Sequence, residues 1–195
     1  TLPLTINRAY TGQTDVAGPL GPGWVFGYDQ YLQMYENFTI VEHRGNGNNQ
    51  VYNFNENHPD DMVSSYDGDS LIFYNLDDGY YTADALGNTA TLTRHNANSY
   101  TVTTKEGTIY HYNGYKAPWR SGQSPRAGKL TYIEDRNGNR TSFTYDSSGH
   151  LSEVADSFGR KLTFGYSGGL LSTVTDPLNR AVQYEYDANN RLIKV

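Results

Sequence analysis

The sequence has 195 residues and a formal net charge of −6, with 18 tyrosines, no cysteine and only 36% hydrophobic residues. The 15 Lys and Arg residues are scattered, which argues against nucleic acid as a partner, because phosphate backbones are bound by clustered cations. The absence of cysteine excludes disulfides, thiolate zinc sites and cysteine nucleophiles. No apolar run approaches the roughly 20 residues that a membrane-spanning helix needs.

Residues 1–113 form the first predicted region, in which short β-prone runs are separated by turns rich in Gly, Asn and Asp. No stretch has the periodicity of an amphipathic helix of useful length. The runs are LTINRAY, WVFGYDQYLQM, FTIVE, QVYNF, SLIFYN, YYT, TATLTR, SYTVTT and TIYHYN. This texture predicts strands and hairpins throughout the region.

The side chains that could bind a metal lack the spacing of a metal site. No two histidines stand at ligand spacing, and the acidic clusters fail the spacing of an EF-hand, so they read as Asp-Gly turns. The histidines are His43, His58, His95, His111 and His150, and the acidic clusters are Asp60-Asp61, Asp67-Gly68-Asp69 and Asp77-Asp78-Gly79. We predict no metal site and no cofactor.

Catalytic motifs are missing as well. There is no G-x-S-x-G nucleophile elbow and no phosphate-binding loop. Paired carboxylates could hydrolyse glycosides, but nothing in the sequence brings two of them together. The candidates by residue type are Glu36, Glu42, Glu56 and Glu106. We predict no catalytic residues, and a hydrolase within residues 35–113 is kept as an alternative.

Aromatic side chains flanked by Asn and Asp could instead bind a sugar. The densest spots are Tyr80-Tyr81 and Tyr110-His111-Tyr112, which makes Tyr80, Tyr81, Tyr110 and Tyr112 candidate ligand contacts. The competing interpretation is packing between tyrosines on neighbouring strands, which a β-meander requires in any case.

Residues 114–128 (GYKAPWRSGQSPRAG) are the longest stretch without strand character and contain two prolines. We predict a connecting loop, with Trp119 packing it down. It joins the first region to residues 129–195.

From about residue 129 the chain repeats itself every 20 or 21 residues. Leucines, aspartates, turn residues and tyrosines recur in the same order in each unit. They are Leu130, Leu151, Leu171 and Leu192; Asp135, Asp156 and Asp176; Gly138, Gly159 and Asn179; and Tyr145, Tyr166 and Tyr186. About three units are complete and a fourth begins.

Each unit has the chemistry of a β-hairpin. Leu162, Phe164 and Tyr166 alternate as on a half-buried strand, and Gly or Asn at the turn position tolerates positive φ. The Asp before the turn is expected to accept backbone N–H bonds. Leu151 and Val154 are three residues apart, so we infer a bulge or a Leu that belongs to the turn. The repeat tyrosines are expected to stack on one another, one repeat on.

The repeat L-x-x-[VI]-x-D-x-x-G-[NR]…[FY]-x-Y-D resembles the YD-repeat pattern of the Rhs family, which includes bacterial toxin-delivery proteins, shells of insecticidal toxin complexes and the related teneurins. The segment Gly18–Leu32, GPLGPGWVFGYDQYL, resembles the entry segment of that family, with Pro22, Gly23 and Trp24 at its turn. The family's C-terminal D-P-x-G-L type motif is absent, since Asp176-Pro177 continues as Leu-Asn. No protease role is therefore carried over.

The resemblance implies that consecutive hairpins form one continuous, curved antiparallel meander that spirals into a hollow shell around a toxin. We therefore predict an all-β fold with essentially no helix and a sheet that is wet on both faces. The predicted function is a structural shell or scaffold segment of an exported or cell-surface protein. The alternative is an adhesion module that binds a glycan or receptor.

The expected partners follow from the same resemblance. The chain is expected to be part of a longer protein, and its open sheet edges should pair with the rest of that protein or with a second copy. A toxin cargo is the other expected partner.

Overall fold

The computed structural model describes residues 3–12, 18–35, 39–54, 65–67, 70–72, 80–83, 90–96, 98–113 and 128–195. All regular elements among these residues are β-strands, and every pairing of defined register is antiparallel. The described part therefore has no helix that could cross a membrane. The prediction of an all-β antiparallel fold is confirmed.

The strands are, in chain order, β1 (Arg8–Tyr10), β2 (Trp24–Phe26), β3 (Tyr31–Met34), β4 (Ile40–His43), β5 (Asn49–Phe54), β6 (Ser65–Asp67), β7 (Ser70–Ile72), β8 (Tyr80–Ala83), β9 (Thr91–Asn96), β10 (Ser99–Thr103), β11 (Ile109–Asn113), β12 (Gly128–Glu134), β13 (Arg140–Tyr145), β14 (Leu151–Ala155), β15 (Lys161–Ser167), β16 (Leu170–Thr175), β17 (Ala181–Gln183), β18 (Glu185–Tyr186) and β19 (Leu192–Lys194).

In space the chain groups into two compact units. Unit 1 contains Thr1–Gln30, His43–Asn49 and Thr131–Val195, and unit 2 contains Tyr31–Glu42 and Gln50–Leu130. The start of the chain therefore belongs with the repeats rather than with the rest of residues 1–113. Residues 114–127 of the predicted connecting loop lie outside the described residues.

The repeats of unit 1 form an antiparallel meander in which β12, β13, β14, β15, β16 and β17 are neighbours in chain order. The inferred bulge is present and recurs. The register shifts between Thr144 and Tyr145, and again between Gly165 and Tyr166, so one residue on the partner strand is left unpaired each time. Leu151 and Val154 are both buried because the bulge returns them to the same face.

Most of the described hairpins, in the meander and outside it, are closed by one kind of five-residue turn. The N–H of its first residue donates to the carbonyl of the fifth, and the N–H of the fourth donates back to the carbonyl of the first, at 2.8–3.1 Å. The fourth residue has φ between 60° and 85°. These turns are 44–48, 104–108, 135–139, 146–150, 156–160, 176–180 and 187–191. They are three-residue hairpin loops with a left-handed residue in the last position.

One face of the repeat sheet is dry, which corrects the prediction of a sheet that is wet on both faces. Phe143 and Phe164 lie one repeat apart and pack edge-to-face against Tyr28, with ring centroids 5.6 and 6.2 Å apart. Phe26 packs against Phe164 at 5.9 Å and is 1% exposed. The repeat phenylalanines pack against apolar side chains of the first 30 residues. That part of the sequence has no repeats, so its contact with the repeats could not be predicted from their period.

Unit 2 is a sheet that closes on itself. Its strand order is β11, β10, β9, β8, β5, β4, β3 and β12, and β12 also pairs with β11. Buried and half-buried side chains alternate along β4 and β10, which is the period of strands with one buried face. The buried face carries polar as well as apolar residues, including Glu42 and three tyrosines, Tyr52, Tyr100 and Tyr112.

The left-handed position of the turns generates a test. Gly159 has φ +77°, and a Cβ there would meet nothing within 4 Å, so backbone strain alone should set the cost of a side chain. We expect Gly159→Ala to lower the free energy of unfolding by about 1–2 kcal/mol. Gly159→Asn should cost clearly less, because Asn179 occupies the same turn position at φ 60°.

Denaturant unfolding of the two variants beside the unmodified chain measures the difference. Equal costs for Ala and Asn would contradict a backbone origin of the glycine requirement.

Candidate functional site

The entry segment lies directly on the repeats of unit 1. The carbonyl of Pro19 accepts the N–H of Leu171 at 2.8 Å. Gly21 has φ +81°, and a Cβ at that position would collide with the backbone carbonyl of Asn190. Glycine is therefore required at Gly21 both by φ and by the close approach of the two backbones.

The predicted entry turn itself lies at the surface of unit 1. Pro22 is exposed, and Gly23 is held by the N–H of Thr11, which donates to its carbonyl at 2.9 Å. Trp24 begins β2 and packs edge-to-face on Tyr10, with ring centroids 5.4 Å apart. Gly23 and Trp24 thus attach the entry segment to β1 and the residue that follows it.

Two of the three repeat tyrosines, Tyr166 and Tyr186, contact backbone groups with their hydroxyls. The Tyr186 hydroxyl donates to the carbonyl of Leu171 at 2.7 Å. The Tyr166 hydroxyl lies beside the backbone of Leu151, in the same repeat, and its ring stacks on His150 with centroids 4.6 Å apart. The structure thus gives Tyr166 a histidine as its stacking partner, where the sequence suggested another repeat tyrosine.

Burial also raises the pKa values of the repeat tyrosines. It raises the pKa of Tyr186 to about 12, with the neighbouring Tyr184 adding to the shift. Burial, and then the negative charge of Asp29, raise the pKa of Tyr145 and Tyr166 well above the ordinary value of 10.0. The repeat tyrosines therefore stay neutral to a higher pH than exposed tyrosines do.

Asp156 shows how an aspartate reinforces a turn. Its Oδ1 accepts the backbone N–H groups of Phe158 and Arg160, both at 2.9 Å. Its Oδ2 accepts Nε of Arg160 at 2.7 Å, so the carboxylate binds the turn and the side chain that ends it. The sequence predicted this role at the first aspartate of each unit, and Asp135 and Asp176 have the same contacts to backbone N–H.

Two further aspartates, Asp146 and Asp187, are the aspartates of the Y-D motif, and their hydrogen-bonding role was not predicted. Asp187 accepts the N–H groups of Asn189 and Arg191 at 2.9 Å. The signal was available, because both aspartates are followed three residues later by Gly or Asn. The role was not predicted because only the turns of Asp135, Asp156 and Asp176 recur with an aspartate in every unit, whereas the middle unit has Ser167 in place of Asp146 and Asp187.

The described hydrogen bonds lower the pKa of all five turn aspartates. At Asp135 and Asp176 the largest cause is the hydrogen bond from the side chain four positions on. At Asp146 and Asp187 the largest cause is the hydrogen bond from the backbone N–H of the residue four positions on, which is His150 or Arg191. Burial opposes the shift most strongly at Asp156, where the bonds from the turn and from its terminal arginine outweigh it.

In unit 2 a buried carboxyl group joins two strands that are far apart in sequence. Glu42 is 2% exposed, and its two oxygens accept the hydroxyls of Tyr112 at 2.9 Å and of Tyr52 at 3.1 Å. Burial, and then the charge of Glu42, raise the pKa of Tyr112 far above its usual value. This cluster was missed from sequence, where Glu42 was one carboxylate among several.

The candidate ligand tyrosines are not gathered on one outer face. Tyr112 is fully buried on Glu42, while Tyr110 is half-buried. The side chains of Tyr80 and Tyr81 lie outside the described residues, although their backbone belongs to β8. The described contacts give Tyr112 a packing role.

A serine–imidazole pair does occur in the region where a hydrolase was considered. The Ser99 hydroxyl lies 3.0 Å from Nε2 of His111, and Thr101 lies 2.9 Å from Nε2 of His95. Ser99 is part of the extended strand β10 rather than a sharp strand-to-helix turn, which is where an activated serine of the elbow type stands. The two pairs are cross-strand contacts of the same kind on neighbouring strands.

No group of three or more His, Asp or Glu side chains that could hold a metal ion occurs among the described residues. The predicted acidic turns at 60–61 and 77–79, together with Gly68, Asp69, Glu36, Glu56, His58 and Trp119, lie outside the described residues, and Asp67 is described only as part of β6.

The Glu42 cluster generates a prediction. Tyr112→Phe removes one donor from a buried carboxyl group, and we expect it to lower the free energy of unfolding by about 1–3 kcal/mol. The matched control is Tyr10→Phe at a 67% exposed tyrosine, which should change stability by less than about 0.5 kcal/mol. Chemical denaturation measures both, and equal effects would contradict the role given to Glu42.

The turn aspartates predict resistance to acid. Because the folded pKa values lie below 3.8, their stabilisation is complete above the unfolded pKa and is lost only as pH falls through the lower folded values. Carboxyl NMR titration should place the midpoint of Asp176 below 3.8. The variant Arg180→Gln removes the side-chain hydrogen bond that lowers the pKa of Asp176 most, so the titration midpoint of Asp176 should rise. An unchanged midpoint would contradict the role given to Arg180.

Two family models match the chain. The model described as RHS Repeat matches residues 126–161 and 166–195, which are the hairpins closed by the aspartate turns. A model described as a domain of unknown function (DUF6531) matches residues 1–52, which include the entry segment.

The sequence is also similar to a curated protein, the double-stranded DNA deaminase toxin A of Burkholderia cenocepacia (strain H111). The two are 25% identical over 206 residues, an alignment that covers 100% of this chain and 12% of the relative. The chain thus spans about an eighth of the length of the toxin it matches. The repeat match and the period of the hairpins confirm that residues 126–161 and 166–195 carry RHS repeats, as the sequence predicted.

Proposed function

We propose that the chain is a wall segment of an exported, toxin-related protein, and that it encloses or presents another part of the protein to which it belongs. The observation that carries the proposal is the meander from β12 to β17, in which each hairpin adds two strands to one sheet. A sheet built in this way can be extended indefinitely by the same unit. Its work is mechanical and needs no reacting group.

The two faces of the repeat strands suit a wall. On β13 and β15 buried side chains alternate with exposed ones, so one face is dry and the other is wet. The dry face is covered by the entry segment, which stiffens the sheet, while the wet face needs no further covering. A wall made this way can stand between solvent and an enclosed domain.

The comparisons support the toxin-related part of the proposal. The relative is named as a toxin, and the whole of this chain aligns with a small part of it. By the same likeness we propose export or cell-surface display, and a toxin as the enclosed cargo. Further hairpins of the parent protein, or of a second copy, would pair with the strand edge at β17 and β19. No described contact favours the alternative of glycan or receptor binding.

Protection from proteolysis tests the proposal. In the full-length gene product, a domain enclosed by the wall should be cut by trypsin at least about tenfold more slowly than the same domain expressed alone. Mass spectrometry of timed digests gives both rates. Equal rates would overturn enclosure.

A matched pair of variants links the protection to the wall. Gly21→Val forces a side chain into the backbone of Asn190 and should displace the entry segment and abolish the protection. Gly159→Asn, which keeps the turn, should preserve it. Protection that survives Gly21→Val would show that the entry segment is not needed to close the wall.

A further inference from the structure

The hairpin turns of unit 1 alternate between the two sides of the meander at which the strands end. The turns 135–139, 156–160 and 176–180 lie at one edge, which we call the tip edge. The turns 146–150 and 168–169 lie at the opposite edge. Successive turns at one edge are two strands apart, or about 10 Å.

The tip edge exposes large apolar side chains that the opposite edge does not. Phe158 and Leu178, each the third residue of its turn, are 70% and 71% exposed. The equivalent residue of the turn 146–150 at the other edge is Ser148. The turn does not require an apolar side chain at this position, since Asn137 holds it in the turn 135–139. Exposed apolar side chains on two neighbouring turns lower solubility, although Arg160 lies 5.9 Å from the centroid of the Phe158 ring.

Charge is also distributed unevenly at these turns. The Asp156 side chain is 2% exposed, whereas that of its partner Arg160 is 55% exposed. The Asp176 and Arg180 side chains are 22% and 76% exposed. The carboxylates are turned into the hairpins and the guanidinium groups are turned outwards, so each neutral ion pair presents its cationic group to solvent beside the apolar tip.

We propose that the tip edge binds the surface of an anionic phospholipid bilayer. Phe158 and Leu178 enter the boundary between headgroups and acyl chains, while Arg160 and Arg180 contact the headgroup phosphates with the N–H groups that face away from their aspartates. Apolar side chains flanked by cations are the composition of interfacial membrane contacts. Arginine suits the role because it can keep its carboxylate and bind a phosphate with its remaining donors.

The shape of the edge favours a bilayer over a folded protein partner. The apolar side chains stand on separate turn tips about 10 Å apart, with turn backbone between them. A protein partner would need two pockets at that spacing, whereas a fluid lipid surface closes around each tip. The proposal is independent of the wall function, because it concerns what the edge touches and not what the sheet encloses.

Vesicle flotation of the full chain tests the proposal. At low salt the chain should float with vesicles of phosphatidylcholine containing about 30% phosphatidylglycerol, and much less with phosphatidylcholine alone. The double variant Phe158→Asn/Leu178→Asn should lower the partition coefficient by about tenfold or more. Asn is compatible with the turn, since Asn137 stands at the equivalent position, and an unchanged melting curve verifies the fold.

Two controls make the outcome decisive. Tyr10→Asn removes another exposed aromatic residue, on β1 rather than in a turn of the meander, and should leave flotation unchanged. Arg160→Gln/Arg180→Gln should remove the preference for phosphatidylglycerol. The proposal is overturned if the unmodified chain stays off both kinds of vesicle, if the Asn variant floats as well as the unmodified chain, or if that variant instead abolishes self-association in sedimentation, which would make the edge a contact between copies.

Discussion

The structure depends on one constraint, the five-residue turn whose first and fifth residues are joined by a backbone hydrogen bond and whose fourth residue has positive φ. In a strand the side chains alternate, so a slip of one residue would move every apolar side chain to the wrong face. The turn prevents this slip because it pairs fixed positions at the start of each hairpin. The bulge before the next turn then absorbs the odd residue, and this is why Leu151 and Val154, three apart, both lie in the core.

A constant register has a consequence for the rest of unit 1. It places Phe143, Phe164 and Tyr184 of successive repeats on one face, and such a face requires a cover. Phe26 and Tyr28 provide it, and the backbone contact at Gly21 brings the entry segment close enough to do so. The first 30 residues are thus a structural part of unit 1, and the hydroxyls of Tyr166 and Tyr186 contact backbone beside the bulges.

The sequence predicted what is local and periodic. The hairpins of 129–195, the aspartate contacts of Asp135 and the bulge at Leu151 are set by residues within a few positions of one another. Contacts made over long distances along the chain carry no such signal. Phe26 reaches Phe164, and Glu42 reaches Tyr112, through pairings that depend on the whole topology. For the same reason the dry face was not predicted, because 36% hydrophobic residues is a chain average that says nothing of how they gather.

The turns outside the repeats separate what the hairpin requires from what reinforces it. Thr104 stands where the repeats have aspartate, and its hydroxyl accepts the N–H of Thr108 at 3.3 Å. In the turn 44–48 that position is Arg44, whose side chain offers no acceptor, yet the backbone bonds are the same. Gly47 and Gly107 keep the positive φ in both. A left-handed fourth residue is therefore common to every turn of this kind that the structure describes, whereas aspartate is an addition. A sequence search that follows the aspartates must lose the pattern before residue 129, while the hairpin geometry itself extends further towards the start of the chain.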